Sequence, residues 1–233
     1  MSTTELASPE KKHIRDFFNA IASRYDVLNS LLSFRMDERW RKCSRDLVIG
    51  ERQQDILDIG IGTGKFLKNF LEVKPWRRAV GLDFSEKMLA AARRELPASV
   101  SLVSADFHDL PFANQSFDLI ASSFTLRSVK NFQQFIRELH RILRPGGKVA
   151  LLCLTRPKNP MVRTLYYPYL RYYLPCIGNL LSGHNRAYCF LSESIQSFQE
   201  PEETLSIMQQ CGFQTQKPVR FAFGVATLLI GEK

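Results

Sequence analysis

One stretch constrains this chain more than any other, residues 55–65, which read Asp-Ile-Leu-Asp-Ile-Gly-Ile-Gly-Thr-Gly-Lys. Its first half is a short apolar run typical of a buried strand, and apolar residues recur at helical spacing from Phe66 onward. The glycines between them therefore lie on a turn from a strand into a helix. Because such a turn offers backbone N–H groups and a helix N-terminus to a ligand, the stretch predicts an α/β domain with a binding site at this edge.

The glycine spacing excludes two common nucleotide-binding motifs. The turn reads G-x-G-x-G, whereas the dinucleotide fingerprint needs a glycine where this chain has Lys65. A P-loop needs more residues between its glycines and a Lys-Ser/Thr pair. The next apolar run ends in Asp83, where an acid accepts hydrogen bonds from the ribose hydroxyls of a bound nucleoside. The alternative is an ordinary glycine turn followed by an exposed loop aspartate.

Strand-type and helix-type segments alternate along most of the chain. The apolar runs predict strands at residues 56–59, 79–83, 100–103, 117–124 and 148–154. Amphipathic segments between them predict helices, including one that Ser85 caps and one over residues 132–143. This alternation is typical of a parallel sheet with helices on both faces. Two last strands, at 213–220 and 221–230, are predicted to run antiparallel, giving a sheet of about seven strands with the last reversed.

Two motifs around the glycine turn resemble S-adenosylmethionine-dependent class I methyltransferases, namely Asp58-x-Gly60-x-Gly62-Thr63-Gly64 and Gly81-x-Asp83-x-Ser85-x-x-Met88-Leu89. The rest of the chain is similar to the ubiquinone/menaquinone biosynthesis C-methyltransferases in the motifs Phe18-x-x-Ile21-Ala22-x-x-Tyr25-Asp26-x-x-Asn29, Leu32-Ser33, Trp40-Arg41, Leu110-Pro111-Phe112, Ser123-Phe124-x-Leu126-Arg127 and Tyr188-x-x-Leu191-x-x-Ser194-Ile195-x-x-Phe198. The resemblance covers nearly the whole chain in order. It implies a Rossmann-like class I methyltransferase fold, S-adenosylmethionine as cofactor, and methylation of a ring carbon of a demethylated prenyl quinol.

Under this resemblance the candidate cofactor-binding residues are Tyr25, Asp58, Gly60, Gly62, Thr63, Gly64, Asp83, Met88, Asp106, Phe107 and Ser123. Asp106 and the backbone N–H that follows it would hold the adenine edge, with a plain loop aspartate as the alternative. Ser123 lies at the end of the fourth strand, where a small side chain leaves room for the sulfonium. The family uses the segment around Tyr25 near the cofactor, while a packing role is the alternative for that ring.

Candidate catalytic residues follow from the implied reaction. A quinol carbon becomes a good nucleophile when the ring hydroxyl loses its proton, and Arg127 is the candidate for stabilising the oxyanion. A surface salt bridge is the alternative for Arg127. His184 and Tyr188 are candidates for the base, with structural roles as alternatives. Lys65 and Ser128 stand where the family usually has an acid and an asparagine, so the contacts to the amino-acid end of the cofactor and to the quinol ring stay open.

We expect one methyltransferase domain over all 233 residues. Its predicted parts are an N-terminal helical lid, a cofactor-binding core, a helical cap over the substrate, and a C-terminal helix with a strand pair, at 1–50, 51–155, 156–198 and 199–233. The predicted cap is rich in tyrosine, apolar residues and arginine, a composition that suits a membrane interface. A plain packing element is the alternative for the cap.

Composition limits the compartment and the partners. The net charge of +9 suggests an anionic partner, and no nucleic-acid-binding motif accompanies it, so we expect transient contact with a membrane surface or simply a solvated basic surface. The N-terminus shows no signal pattern and no apolar run has the length of a membrane span, so a cytoplasmic protein, peripheral at the inner face of the membrane, is expected. The five cysteines show no metal spacing. A homodimer is one option for the oligomeric state.

Two other functions stay open at this point. The chain can be a methyltransferase for another small or lipid substrate, such as a sterol or a phospholipid head group. It can also be a non-catalytic, methyltransferase-like subunit of a quinone-biosynthesis assembly. The naphthoquinol and benzoquinol rings are equally compatible with the motifs.

Overall fold

The computed structural model describes residues 30, 33–129, 131–173, 195 and 198–233. Its α-helices are α1 (Met36–Val48), α2 (Lys65–Leu71), α3 (Glu86–Glu95), α4 (Phe132–Ile142), α5 (Pro160–Pro168) and α6 (Pro201–Gln210). Its strands are β1 (Asp55–Ile59), β2 (Arg78–Asp83), β3 (Ser101–Ser104), β4 (Phe117–Ser123), β5 (Leu143–Leu154), β6 (Gln214–Thr215), β7 (Val219–Phe221) and β8 (Ala226–Glu232). A π-helical turn over Tyr169–Tyr173 extends α5.

The strands form one sheet in the order β3-β2-β1-β4-β5-β8-β6, with β7 also paired to β8. Strands β1 to β5 are parallel, and β8 runs antiparallel to β5. The predicted parallel sheet with a reversed last strand is therefore confirmed. The strand order changes direction between β1 and β4, and the carboxyl ends of the strands beside such a switch point form the crevice where α/β sheets bind ligands.

The segment before β8 differs from the prediction. One strand was expected over residues 213–220, but the structure has two short strands, β6 and β7, that both pair with β8. Thr215 pairs with Gly231 and Val219 with Leu228, so the register shifts by one residue between them. Pro218 lies in this gap and has no N–H to donate to a ladder, which explains why the strand is interrupted there.

Strand β5 begins earlier than predicted. The strand was predicted to begin at residue 148, yet it extends from Leu143. Phe117 pairs with Leu143 and the next pairing joins Leu119 to Lys148, so the segment between bulges out of the ladder. Gly146 has a positive φ of 75° and donates its N–H to the Lys233 carbonyl at 2.7 Å. Residues 144–147 thus act inside the strand as a bulge.

Two predicted helices begin at polar caps. Ser85 Oγ accepts from the Met88 N–H at 3.2 Å at the start of α3, as the sequence predicted. Asn131 caps α4 by accepting from the Gln134 N–H at 3.1 Å. The predicted helix over 132–143 ends one residue earlier, because Leu143 is already extended.

The helices cover both faces of the sheet and create two apolar cores. Helices α4 and α6 pack on one face, where Phe135, Leu139 and Met208 are fully buried. Helices α1, α2 and α3 pack on the other face, around Phe66 and Phe70. Each of these large side chains contributes about 1.5–3 kcal/mol through burial. Among the residues described here, no helix combines the length and the apolar character that crossing a bilayer requires.

Candidate active site

The glycine turn after β1 has a backbone that only glycine adopts easily. Gly60, Gly62 and Gly64 all have positive φ, at 66°, 55° and 89°. The N–H groups of Gly60 and Ile61 donate to the Leu82 carbonyl at 2.8 and 3.0 Å, which ties the turn to β2. A Cβ at position 60 would lie 2.3 Å from Thr125 Oγ1. The turn is therefore packed against the end of β4 and has no room for a side chain there.

Asp83 joins the glycine turn to the end of β2. Its two carboxylate oxygens accept from the N–H groups of Gly62 and Ser85, each at 2.9 Å. Burial raises the pKa of Asp83 to about 6, although the N–H groups of Ser85, Gly62 and Phe84 oppose the rise. A carboxylate has about four lone-pair sites, so Asp83 retains acceptor capacity for ribose hydroxyls.

A small pocket lies at this edge of the sheet, with a cavity volume of about 30 Å³. It is lined by Gly60, Gly62, Asp83, Phe84, Met88, Phe107, Phe124, Thr125 and Ser128. Five of the predicted cofactor-binding residues are among them, namely Gly60, Gly62, Asp83, Met88 and Phe107. The Phe84 and Phe107 rings pack edge to face with centres 5.5 Å apart, and they give the pocket an apolar wall suited to a planar base.

Four other predicted residues lie around the pocket without lining it. Thr63 is buried within the glycine turn, and Gly64 is the cap of α2. Ser123 ends β4, and its carbonyl accepts from Thr125 Oγ1 at 3.1 Å. Asp106 precedes the pocket residue Phe107, but its Oδ1 lies 2.7 Å from His108 Nδ1 and accepts the His108 N–H at 2.9 Å. The adenine role of Asp106 stays a prediction.

Asp58 is the most deeply buried acid of the site, at 1% exposure. Its Oδ2 accepts from the Leu67 N–H at 3.1 Å, and its Oδ1 has no hydrogen-bond partner in the described structure. Burial raises the pKa of Asp58 to about 8; the Leu67 N–H and the Arg41 charge lower it, while the Asp83 charge raises it. A buried carboxyl oxygen without a hydrogen-bond partner costs free energy. A ligand that supplies a donor to this oxygen would therefore be stabilised.

Arg127 lies on a short 3-10 turn, Leu126–Ser128, directly after the pocket residues of the β4 end. Its guanidinium donates to the Phe124 carbonyl at 2.7 Å. Burial raises the pKa of Cys153 to about 12, and the Arg127 charge lowers it. Burial likewise raises the pKa of Tyr166 on α5, again opposed by the Arg127 charge. Arg127 therefore follows the pocket residues Phe124 and Thr125, and its charge acts on Tyr166 of α5, the helix in the predicted cap.

Three predicted residues, Tyr25, His184 and Tyr188, lie outside the described residues. Within the part of the chain that the structure describes, no group of His, Cys, Asp or Glu has the arrangement of a metal site.

Sequence reasoning missed three parts of the site. Phe84 follows the predicted acid and lines the pocket, and the apolar residue after Asp83 was the only signal for it. Phe124 lines the pocket with a positive φ of 60°, which is unusual for a bulky residue and has no local sequence signal. Buried Arg41 on α1 stacks over the Phe124 ring at 5.0 Å, although it stands in a charged segment that resembles an exposed helix face.

The strand order, the glycine turn and the buried acid at the end of β2 define a class, the Rossmann-like methyltransferases that use S-adenosylmethionine. Solved structures share this fold. An S-adenosylmethionine-dependent methyltransferase from Mesorhizobium loti matches with a TM-score of 0.59, at 22% identity, covering 82% of this chain and 96% of that one. The [4+2]-cyclase SpnF matches with a TM-score of 0.67, at 12% identity, covering 94% of each chain. Likeness at this level shows the fold alone.

The family is shown by the sequence comparisons. The model of the ubiE/COQ5 methyltransferase family matches residues 6–233, and the chain belongs to this family. Demethylmenaquinone methyltransferase of Thermus thermophilus is 36% identical over 219 residues, covering 93% of this chain and 99% of that protein. The enzyme of the same name from Thermotoga maritima is 35% identical over 228 residues, covering 97% and 99%. The protein is therefore an S-adenosylmethionine-dependent methyltransferase, and its family places it in quinone biosynthesis as a carbon methyltransferase.

The residues present fit this cofactor. Gly60 and Gly62 line the pocket with bare backbone, so a ligand can approach the glycine turn closely. Asp83 can accept from ribose hydroxyls, and Phe84 with Phe107 offers an apolar wall to adenine. The buried Asp58 Oδ1 needs a donor, and the α-ammonium of the cofactor is one.

Proposed function

We propose that the protein methylates a ring carbon of a demethylated prenyl quinol, with demethylmenaquinol, a naphthoquinol, as its substrate. The observation that carries the proposal is the family match over residues 6–233 together with relatives that are demethylmenaquinone methyltransferases at 32–36% identity. These relatives favour the naphthoquinol over the benzoquinol ring that the motifs alone left open.

An assay with both rings tests the substrate. The protein is incubated with methyl-labelled S-adenosylmethionine and with reduced demethylmenaquinol or the demethylated benzoquinol, each in detergent. We expect label in the lipid extract of the naphthoquinol reaction. Label confined to the benzoquinol would overturn the ring assignment. Cofactor binding without label in either lipid would favour the non-catalytic subunit or a different small or lipid substrate.

The reaction requires a deprotonated quinol oxygen and the exclusion of water from the site. Bound S-adenosylmethionine supplies an electrophilic methyl group. Arg127 stabilises the quinol oxyanion, which directs electron density to the ring carbon. Its bond to the Phe124 carbonyl fixes the guanidinium at the pocket edge, so little reorganisation is needed during reaction. His184 and Tyr188 stay our candidates for the group that removes the hydroxyl proton, and Tyr25 stays a candidate cofactor-binding residue.

Arg127→Met tests the role of this cation. We expect kcat for quinol methylation to fall by roughly 100–1,000-fold, because a fixed donor to the oxyanion is lost. Affinity for S-adenosylhomocysteine, measured by calorimetry, is expected to change less than about threefold. The matched control is Arg137→Met, which removes an exposed cation of α4 and is expected to leave both values unchanged. An Arg127→Met enzyme with normal kcat would contradict the assignment.

Cofactor affinity should depend on pH through Asp58. Its pKa of about 8 means that the carboxyl is protonated at neutral pH in the free protein, whereas binding the cofactor's ammonium needs the carboxylate. Binding therefore releases a proton, and affinity for S-adenosylhomocysteine should rise with pH, by up to about tenfold per unit below pH 8. Calorimetry between pH 6 and about pH 8, in buffers of different ionisation enthalpy, measures both effects. The Asp58→Asn variant should bind S-adenosylhomocysteine more weakly, and its affinity should change little with pH. An equally steep pH dependence of affinity in that variant would refute the assignment.

We also propose that α5 and the turn after it contact the membrane surface from which a prenylated substrate is taken. Met161, Leu165 and Tyr172 are 80%, 78% and 67% exposed. Arg163 and Arg171 stand on the same segment and stack on neighbouring tyrosines. Exposed apolar side chains beside cations suit an anionic lipid interface. This segment belongs to the predicted cap at 156–198, whose boundaries stay a prediction.

A further inference from the structure

Helix α1 carries a polar stripe on its buried face. Asp37, Arg41 and Ser44 are spaced so that they share one side of the helix, and each is at most 5% exposed. Asp37 pairs with the Arg41 guanidinium at 2.6 Å and accepts from the Ser33 hydroxyl at 2.7 Å. Arg41 Nε and Ser44 Oγ nevertheless lack hydrogen-bond partners within the described structure. If the ion pair had only a structural role, its buried donors would be expected to be hydrogen-bonded within the protein.

Asp58 faces this stripe from the sheet. It lies on the same side of β1 as Ile56, which packs in the core beneath α1 and α2. Its Oδ2 accepts from the Leu67 N–H of α2, and the Arg41 charge acts on it. Arg41 and Asp58, whose charges interact, thus each hold a buried polar atom without a partner in the described structure, and Ser44 on the buried face of α1 holds a third. More than about 90% of buried polar groups in native proteins are paired, so a cluster of three points to a missing ligand.

The cluster adjoins the cofactor pocket. The guanidinium carbon of Arg41 lies 5.0 Å from the centre of the Phe124 ring, and Phe124 lines the pocket. Asp58 stands two residues before Gly60, which lines it as well. Lys65, where the family usually has an acid, adds a second positive charge that acts on Asp37. The region therefore combines a cationic side with a carboxylate, a pattern complementary to a zwitterionic amino acid.

We propose that Arg41 binds the α-carboxylate at the methionine end of S-adenosylmethionine, while Asp58 accepts from the α-ammonium. Asp37 acts as a positioning residue that orients the guanidinium. Arg41 is suited to this task because its planar fork matches a carboxylate and its charge is permanent. The inference rests on S-adenosylmethionine as the cofactor and is independent of which quinol is methylated.

A set of three ligands tests the assignment by calorimetry. S-Adenosylhomocysteine has both charged groups, its decarboxylated analogue has only the ammonium, and methylthioadenosine has neither. For the wild type we expect the first to bind roughly 10–100-fold more tightly than the second, because a charge-assisted hydrogen bond is lost. In Arg41→Met this difference should vanish, while methylthioadenosine binds within about threefold of wild type.

Two controls separate binding from folding. Arg45→Met removes a cation from the next turn of α1, where Arg45 donates to the Asn69 carbonyl at 3.2 Å, and it should leave the ligand preference unchanged. Arg41→Lys keeps the positive charge but replaces the planar guanidinium with a compact ammonium. It should retain part of the preference for S-adenosylhomocysteine. Methylthioadenosine binding reports that the pocket is intact in every variant.

Two results would overturn the inference. One is equal affinity of the wild type for S-adenosylhomocysteine and its decarboxylated analogue, which needs no variant. The other is an Arg41→Met protein that loses affinity for all three ligands equally, since that is the effect of a purely structural residue. A wild type that shows the expected ligand preference but does not methylate quinols would contradict only the proposed function.

Discussion

Asp83→Ala is expected to weaken binding of S-adenosylhomocysteine by roughly 100–1,000-fold. The carboxylate, which is 5% exposed, accepts from Gly62 and Ser85 and so holds the glycine turn to the end of β2. Its removal takes away the proposed ribose acceptor and the carboxylate to which the Gly62 and Ser85 N–H groups donate. Hydrogen bonds to charged groups contribute about 1.5–3 kcal/mol each, which sets the size of the effect. Calorimetry with the folded variant measures it.

The matched control for this prediction is Glu86→Ala. Glu86 is an exposed acid in the first turn of α3, three residues after Asp83. Its loss should change affinity less than about twofold, because an exposed charge there contributes only tenths of a kcal/mol. Asp83→Asn keeps the shape and one acceptor oxygen, so an intermediate loss is expected. A folded Asp83→Ala protein with wild-type affinity would show that the ribose site is elsewhere.

Gly60→Ala is expected to destabilise the protein by roughly 2–5 kcal/mol. The residue has a φ of 66°, and its Cβ would lie 2.3 Å from Thr125 Oγ1 and 2.4 Å from Thr125 Cγ2. Left-handed backbone costs alanine about 1–2 kcal/mol, and overpacking adds about 1–3 kcal/mol. For a chain of this size the melting temperature should fall by roughly 5–20 °C. Thermal unfolding followed by circular dichroism measures the change.

Gly146→Ala separates the effect of the steric clash at position 60 from the cost of a left-handed backbone. Gly146 has a similar φ of 75°, but a Cβ there meets nothing within 4 Å. This variant should lose only about 1–2 kcal/mol. Adding Thr125→Ala to Gly60→Ala should recover part of the lost stability, because it removes the two closest of the three clashing atoms and leaves only Cβ at 2.8 Å. Equal losses at the two glycines would mean that the packing of the turn against β4 is not as described.

Much of the fold was predictable because local and global signals agree. The alternation of apolar runs and amphipathic helices led to the parallel sheet, and Ser85 signalled the start of α3. The position of Asp83 at the carboxyl end of β2 was predictable because it ends an apolar run after a glycine turn, whereas its burial was not. Family motifs added Gly60, Gly62, Met88 and Phe107, which line the pocket with it.

Other features depend on contacts that no local pattern contains. The split of β6 from β7 follows from pairing with β8, and the hydropathy of residues 213–220 does not reveal it. The segment around α1 carries several arginines, and hydropathy cannot say that Arg41 is buried while Arg39 and Arg45 are more exposed. The burial of Arg41 results from Asp37 and Phe124, one on its own helix and one at the far end of β4.

The most direct test of the central claim is to follow the methyl group from the cofactor to the product. The protein is incubated with S-adenosylmethionine carrying an isotopically labelled methyl group and with reduced demethylmenaquinol, and the lipid product is analysed by NMR and mass spectrometry. We predict menaquinol with the label on a ring carbon, formed in proportion to S-adenosylhomocysteine. Label on a ring oxygen, or no labelled lipid from a protein that binds the cofactor, would contradict the account.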